Sequence, residues 1–163
     1  MTAKQTLELL QEFHRDKHTL LRRHEAAARL VSDYDFNNTY QYVIAREEMH
    51  DRWVADAIAD LGGQVQSVAA PEIQVSGKGA EAQRSVMSQD RDSAQTFVDK
   101  WRPRVQTMTH ARHRTMLNVV LGETLEHKRF FEQAVAGRSD LLGRRADGAG
   151  TSGGVLPTRW IEQ

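Results

Sequence analysis

Two segments of the chain each carry a glutamate and a histidine at helical spacing. The stretch "IAREEMHDRW" places Glu47 and His50 three residues apart. The stretch "VVLGETLEHKRFF" places Glu123 and His127 four residues apart. Steps of three and four residues return to one face of an α-helix, and in both segments that face also carries the apolar side chains. Each segment therefore predicts a carboxylate and an imidazole that point together into a helical core.

Inward carboxylates need a compensating charge. Burying one without compensation costs several kcal/mol, and several in one core repel each other unless protons or cations are bound among them. The chain contains no cysteine, which excludes disulfides, thiolate zinc sites and iron–sulfur clusters. Carboxylate and imidazole ligands suit iron or manganese. The pattern predicts a pair of such metal ions, held by Glu and His alone.

A first-helix carboxylate joins this set. Glu25 lies in "RRHEAAAR" on a helical stripe with Leu21 and Ala28. If the chain turns at "DFNN", Glu25 lies about as far before the turn as Glu47 lies after it. The two would then sit at one height in an antiparallel helix pair, although Arg22 and Arg29 are alternative partners for Glu25 at helical spacing.

Similar counting suggests a third-helix carboxylate. If the chain turns at Pro103, Glu81 comes opposite Glu123, whereas a later turn would put Asp92 or Asp99 there instead. The complete set of predicted metal ligands is Glu25, Glu47, His50, Glu81, Glu123 and His127.

Four helices must position these residues. Apolar periodicity predicts a first helix from Thr6 to Asp33 and a second from Thr39 to Leu61, capped by Asn38 or Thr39. The Gly- and Pro-containing segment "GGQVQSVAAPEIQVSGKGAE" then forms a long connection. Helical pattern resumes near Ala80 and continues to Ala136, with Pro103 dividing it into helices three and four. Helices joined by short, long and short links predict an all-α four-helix bundle, with a crossover between helices two and three.

Composition separates the bundle from a tail. We expect one helical domain over residues 1–137 and a Gly-rich flexible tail over 138–163 that ends in the apolar "VLPTRWIEQ" and could dock on a partner protein. The 22 Lys and Arg residues balance the 22 Asp and Glu residues, which disfavours nucleic-acid binding. No apolar run is long enough to span a bilayer, and no signal sequence opens the chain. These features predict a soluble, cytoplasmic protein without a membrane partner.

The motif residues resemble those of the ferritin-like di-iron carboxylate superfamily, which includes ferritins, bacterioferritins and rubrerythrins. In that superfamily a Glu from each of two helices and a Glu-x-x-His motif from each of the other two bind the metals. Glu47 and His50 match the motif as written. The fourth helix departs from it, because Thr124 stands where the motif requires Glu. The resemblance covers the chain from about Leu20 to Ala136.

The resemblance implies a ferritin-like four-helix bundle that holds two iron ions, with manganese possible. It further implies oxidation of ferrous iron or a small reductant by oxygen or peroxide, and a homo-oligomer. Two alternatives remain open. His14 and His18 lie one turn apart on the first helix, an arrangement similar to that of hemerythrin-like oxygen carriers. The Glu and His pairs could also be ion pairs in a metal-free helical interaction or scaffold protein.

Overall fold

The computed structural model describes residues 1–138 and 140–142, and these form four α-helices. The helices are α1 (Ala3–Ala28), α2 (Tyr34–Asp60), α3 (Ala80–Gln106) and α4 (Ala111–Val135). Within these residues there is no strand, and no helix is long and apolar enough to cross a bilayer. The prediction of an all-α four-helix protein is confirmed. The predicted tail, except for residues 138 and 140–142, lies outside the described residues.

Ion pairs between helices define the topology. Helix α1 packs on α2 and α3, while α4 packs on α3 and α2. Along α1 and α3, Glu12 pairs with Arg104 and Arg23 pairs with Asp90, so these two helices are antiparallel. Since α1 is also antiparallel to α2, helices α2 and α3 run in the same direction. The link over residues 61–79 must therefore travel the length of the bundle, as the predicted crossover requires.

The first turn lies earlier than the sequence predicted. Asp33 caps α2, because its side chain accepts a hydrogen bond from the backbone N–H of Phe36. Asn37 donates to the carbonyls of Ala28 and Val31 and so satisfies groups near the end of α1. The "DFNN" residues thus lie in the first turns of α2, and the true turn occupies residues 29–33.

Pro103 does not separate α3 from α4. It lies in the last turn of α3, which continues to Gln106. A proline at this position has no N–H and so removes the backbone hydrogen bond to the carbonyl of Asp99, four residues earlier. Asp99 is an exposed residue at the helix surface. The turn between α3 and α4 spans residues 107–110, several residues later than predicted.

Two apolar clusters fill the bundle. The larger cluster contains Phe13, Trp101 and Leu117, and the second contains Tyr40, Val43 and Phe131. On every helix the residues of the two clusters are separated along the chain by buried polar side chains. A polar layer therefore crosses the bundle between the two apolar clusters.

Candidate functional site

The polar layer contains contributions from all four helices. We define it by the buried residues Lys17, His24, Glu47, His50, Asp90, Thr124 and His127, with Glu123 at its rim. The helical periodicity that buries Leu10, Phe13 and Ala27 on α1 also carries Lys17 and His24 into the core. This inward-facing stripe of α1 begins well before Leu20, the point from which the family resemblance was traced. Its periodicity is the sequence signal that could have identified Lys17 and His24.

Four of the six predicted ligands meet in this layer. His50 Nε2 lies 2.5 Å from Glu123 Oε2, and His127 Nδ1 lies 3.5 Å from Glu47 Oε1. The rings of His50 and His127 stack with centroids 6.2 Å apart. Glu47, His50 and His127 lie on the inner faces of α2 and α4, and Glu123 lies at the rim of the layer.

The structure does not bring Glu25 and Glu81 into the layer. The Glu25 carboxylate is 30 % exposed and pairs with Arg22 at 3.1 Å, and Glu81 is exposed in the first turn of α3. Both placements follow from the turns. Moving the first turn to residues 29–33 brings Lys17 and not Glu25 opposite Glu47.

The later second turn brings another carboxylate to the centre. Asp90 of α3 is fully buried, and Arg23 Nε donates to its Oδ1 at 2.6 Å. The Tyr40 hydroxyl donates to Oδ2, and His24 Nε2 lies 3.8 Å from Oδ1. The alternatives Asp92 and Asp99 are both exposed. Asp90 was not among the predicted residues, because a turn at Pro103 favoured Glu81 and the later turn was assigned to Asp92 or Asp99.

Lys17 occupies the middle of the layer with 1 % of its side chain exposed. Its Nζ donates to Glu47 Oε1 at 3.0 Å and to Thr124 Oγ1 at 3.2 Å. Thr124 can accept this bond because its own hydroxyl donates to the carbonyl of Val120. The ammonium also lies 5.5 Å from the centre of the Phe97 ring, within cation–π range. Lys17 therefore brings a buried positive charge directly to the motif glutamate.

The charges around Glu47 favour its ionised form. Burial alone would raise the pKa of Glu47, but His24 and Lys17 hold that pKa well below its usual range. Burial lowers the pKa of His24, and Glu47 more than offsets this, so the net shift is upward. His127 behaves differently, because burial and the Lys17 charge lower its pKa. Lys17 and His24 therefore both stabilise the Glu47 carboxylate, and His127 lies beside the oxygen that Lys17 contacts.

The rim of the layer has its own ion pair. Arg46 binds Glu123 through two nitrogens, Nη2 to Oε1 at 2.6 Å and Nε to Oε2 at 3.1 Å. Burial would raise the pKa of Glu123, but the hydrogen bonds from Arg46 and His50 lower it. Burial and Lys17 lower the pKa of His50 to about 4. His50 is therefore neutral at pH 7.

A second polar cluster lies beside the layer, between α1 and α2. Asp51 Oδ1 is 2.7 Å from His18 Nδ1 and 3.0 Å from His14 Nε2. The two imidazole rings stack with centroids 5.5 Å apart. Burial would raise the pKa of Asp51, but hydrogen bonds from His14 and His18 lower it. His14 is buried, while Asp51 and His18 reach solvent.

No family model and no curated protein sequence matches this chain. Solved structures do. A ferritin-like, diiron-carboxylate protein from Bacillus anthracis superposes with a TM-score of 0.67 at 16% identity, over 83% of this chain and 99% of the other. The fold is ferritin-like. A conserved hypothetical protein from Mycobacterium tuberculosis has a TM-score of 0.65 at 12% identity, covering 78% of this chain and 94% of the other.

A mycobacterial bacterioferritin gives a TM-score of 0.53 at 16% identity and covers 80% of this chain and 82% of the other. At these identities the likeness concerns the fold, and the predicted resemblance to the ferritin-like superfamily is confirmed at that level. Similarity of fold does not establish a metal centre, because metal binding depends on the side chains inside the bundle.

The charges of the polar layer do not fit a pair of divalent ions. Each carboxylate there already faces a fixed cation. The pairs are Glu47 with Lys17, Asp90 with Arg23, and Glu123 with Arg46. Two divalent ions would add four positive charges without uncompensated carboxylates to receive them. The predicted pair of iron ions remains a prediction, but the fixed cations weigh against it, and Glu25 and Glu81 lie outside the layer.

Proposed function

We propose that this ferritin-like protein binds a divalent transition-metal ion through His14, His18 and Asp51. One observation carries the proposal. The candidate ligand atoms of these three residues all lie within 4.8 Å of one another, and they form the one group of this kind in the part of the chain that the structure describes. Ligand atoms that each lie about 2.1 Å from one ion are separated by roughly 3 to 3.5 Å. Small side-chain adjustments therefore suffice to seat an ion.

The ligand types favour iron or manganese. Two imidazoles and one carboxylate combine borderline and hard donors, and this ligand set with open positions is used by non-haem iron oxygenases. The spacing also supports the proposal, since His14 and His18 lie one turn apart on α1 and face Asp51 on α2. Solvent reaches Asp51 and His18, whose side chains are 24% and 18% exposed, so an ion can enter from that side.

The activity predicted from sequence depends on this binding step. Iron with open coordination positions can react with oxygen or peroxide, so oxidation of ferrous iron or a small reductant stays a prediction attached to the proposal. The homo-oligomer implied by the resemblance also stays a prediction. Metal binding is the part that the side chains themselves support.

The test is cobalt(II) binding, followed by its visible absorption and by elemental analysis after dialysis. A single ion per chain is expected, and His18→Gln or Asp51→Asn should weaken its binding by at least about tenfold. The matched control is His110→Asn, which replaces a histidine on α4 outside the cluster and keeps a side chain able to cap that helix. This control should bind cobalt as the unaltered protein does.

Other outcomes point elsewhere. If His18→Gln and Asp51→Asn bind normally while Glu47→Gln loses the ion, the metal belongs to the polar layer and the proposal is wrong. If the unaltered protein binds no ion, the alternative of a metal-free helical interaction protein gains support. The fixed cations beside Glu47, Asp90 and Glu123 are the observation that favours this alternative.

A further inference from the structure

Lys17 is a costly residue to bury, and its surroundings show what compensates it. A lysine loses its hydration and its side-chain freedom when buried, so it is rarely found fully buried without a partner. Here Glu47 supplies the opposite charge, Thr124 supplies a hydroxyl acceptor, and Phe97 lies below the ammonium. The site is therefore built to hold a positive charge at this point between the helices.

Several neighbouring atoms could bind a cation but have no aligned hydrogen-bond partner among the described residues. These buried atoms are Glu47 Oε2, His24 Nδ1, His24 Nε2 and His127 Nδ1. His24 Nδ1 lies 3.1 Å from Glu47 Oε2, and His127 Nδ1 lies 3.5 Å from Glu47 Oε1. Buried polar atoms without an aligned hydrogen bond are uncommon in folded proteins. One carboxylate with an imidazole beside each of its two oxygens offers donor types that iron, manganese and zinc accept.

We propose that the Lys17 ammonium takes the place of a metal ion in the polar layer, and that it keeps metal from the Glu47 carboxylate, which has His24 and His127 beside its two oxygens. A metal ion and an ammonium cannot both be held against one buried glutamate without strong repulsion. The fixed charge therefore excludes metal from the centre and makes the layer independent of metal supply. This inference does not rest on the proposed function of the His14, His18 and Asp51 cluster.

The experiment changes the charge of Lys17 and measures bound metal. All variants carry His18→Gln and Asp51→Asn, so that ions at the other cluster are not counted. Lys17→Glu replaces the ammonium with a second carboxylate and should gain a manganese or zinc ion per chain that survives dialysis. Its melting temperature should rise with metal concentration, because ligand binding to the folded state stabilises it.

The matched control is Lys4→Glu, the same charge change at an exposed position of α1. It should gain no ion and show no metal-dependent melting temperature. Because Lys17→Glu places a second buried carboxylate beside Glu47 and so destabilises the metal-free fold, Lys17→Gln serves as a neutral second variant. It should bind the ion at least tenfold more tightly than the Lys17 parent. If both Lys17 variants bind no more metal than the parent, the proposal is overturned.

A measurement on the unaltered protein completes the test. The nitrogen-15 resonance of a buried, hydrogen-bonded lysine ammonium is distinct from those of exposed lysines. We expect the Lys17 signal to persist when the protein is saturated with zinc, a diamagnetic ion. Disappearance of this signal on zinc binding would show that metal displaces Lys17 from Glu47 and would also overturn the proposal.

Discussion

Removal of the Lys17 ammonium tests the energetic role of the polar layer. Lys17→Met keeps much of the side-chain volume but leaves Glu47, which has no exposed surface, without the ammonium that pairs with it at 3.0 Å. Breaking a buried ion pair in this way costs about 3 to 5 kcal/mol, because an uncompensated charge remains. For a domain of this size that loss lowers the melting temperature by about 10 to 15 °C.

The double variant Lys17→Met, Glu47→Met separates the lost pair from the lost packing. Replacing both charges with apolar side chains of similar volume is often neutral or stabilising. We therefore expect the double variant to recover at least about 2 kcal/mol relative to Lys17→Met. Glu47→Met alone completes the cycle, from which the coupling energy of the pair is obtained. Thr124 and His24 lose a partner in the double variant, so recovery should be incomplete.

The assay is equilibrium urea unfolding at pH 7 in a buffer that contains a chelator, followed by circular dichroism and tryptophan fluorescence. The chelator removes any contribution from bound metal. Lys4→Met is the control, because Lys4 is exposed on the same helix, and it should change the free energy of unfolding by less than about 0.5 kcal/mol. A Lys17→Met cost below about 1 kcal/mol, or additive single and double variants, would refute the buried ion pair.

Three further predictions concern other parts of the bundle. Arg104 lowers the pKa of Glu12 from 4.5 to about 2, so the stability from this pair is complete above pH 4.5 and is lost as the pH falls towards 2. Arg104→Ala should lower the free energy of urea unfolding by about 1 kcal/mol at pH 7 and by little at pH 2. An equal decrease at both pH values would contradict the pairing of Glu12 with Arg104. Tyr40→Phe removes a hydrogen bond to the buried Asp90 carboxylate. Thermal unfolding should show a decrease of about 1.5 to 3 kcal/mol in the free energy of unfolding. An unchanged free energy of unfolding would contradict this hydrogen bond. Asp33→Ala removes the N-cap of α2 and should cost about 1 kcal/mol by urea unfolding, unlike Asp33→Asn, which keeps an acceptor.

Helical periodicity made the inner faces of α2 and α4 readable from sequence. Glu47, His50 and His127 share these faces with apolar residues, and all three are buried. Periodicity is a local property, since the positions of side chains around one helix depend only on the spacing of residues within it. The number of helices and the long link between α2 and α3 could be predicted for the same reason.

The pairing of helices could not be read in this way, because it depends on where the chain turns. Asp33 and not the "DFNN" residues begins α2, and α3 continues past Pro103. These shifts of a few residues exchange Glu25 for Lys17 opposite Glu47 and bring Asp90, in place of Glu81, to the centre.

Apolar periodicity along the chain is enough to predict a four-helix bundle with glutamate and histidine side chains turned inward. How those charges are compensated depends on contacts between helices. Lys17 and Glu47 are 30 residues apart in the chain, and Lys17 and Thr124 are 107 apart, so no local pattern reveals their contact. The same carboxylate can face a metal ion or an ammonium. The register between helices sets whether the carboxylate faces a metal ion or an ammonium. The reason is that the interaction of two charges depends on the distance between them in the folded protein and not on their separation in the sequence.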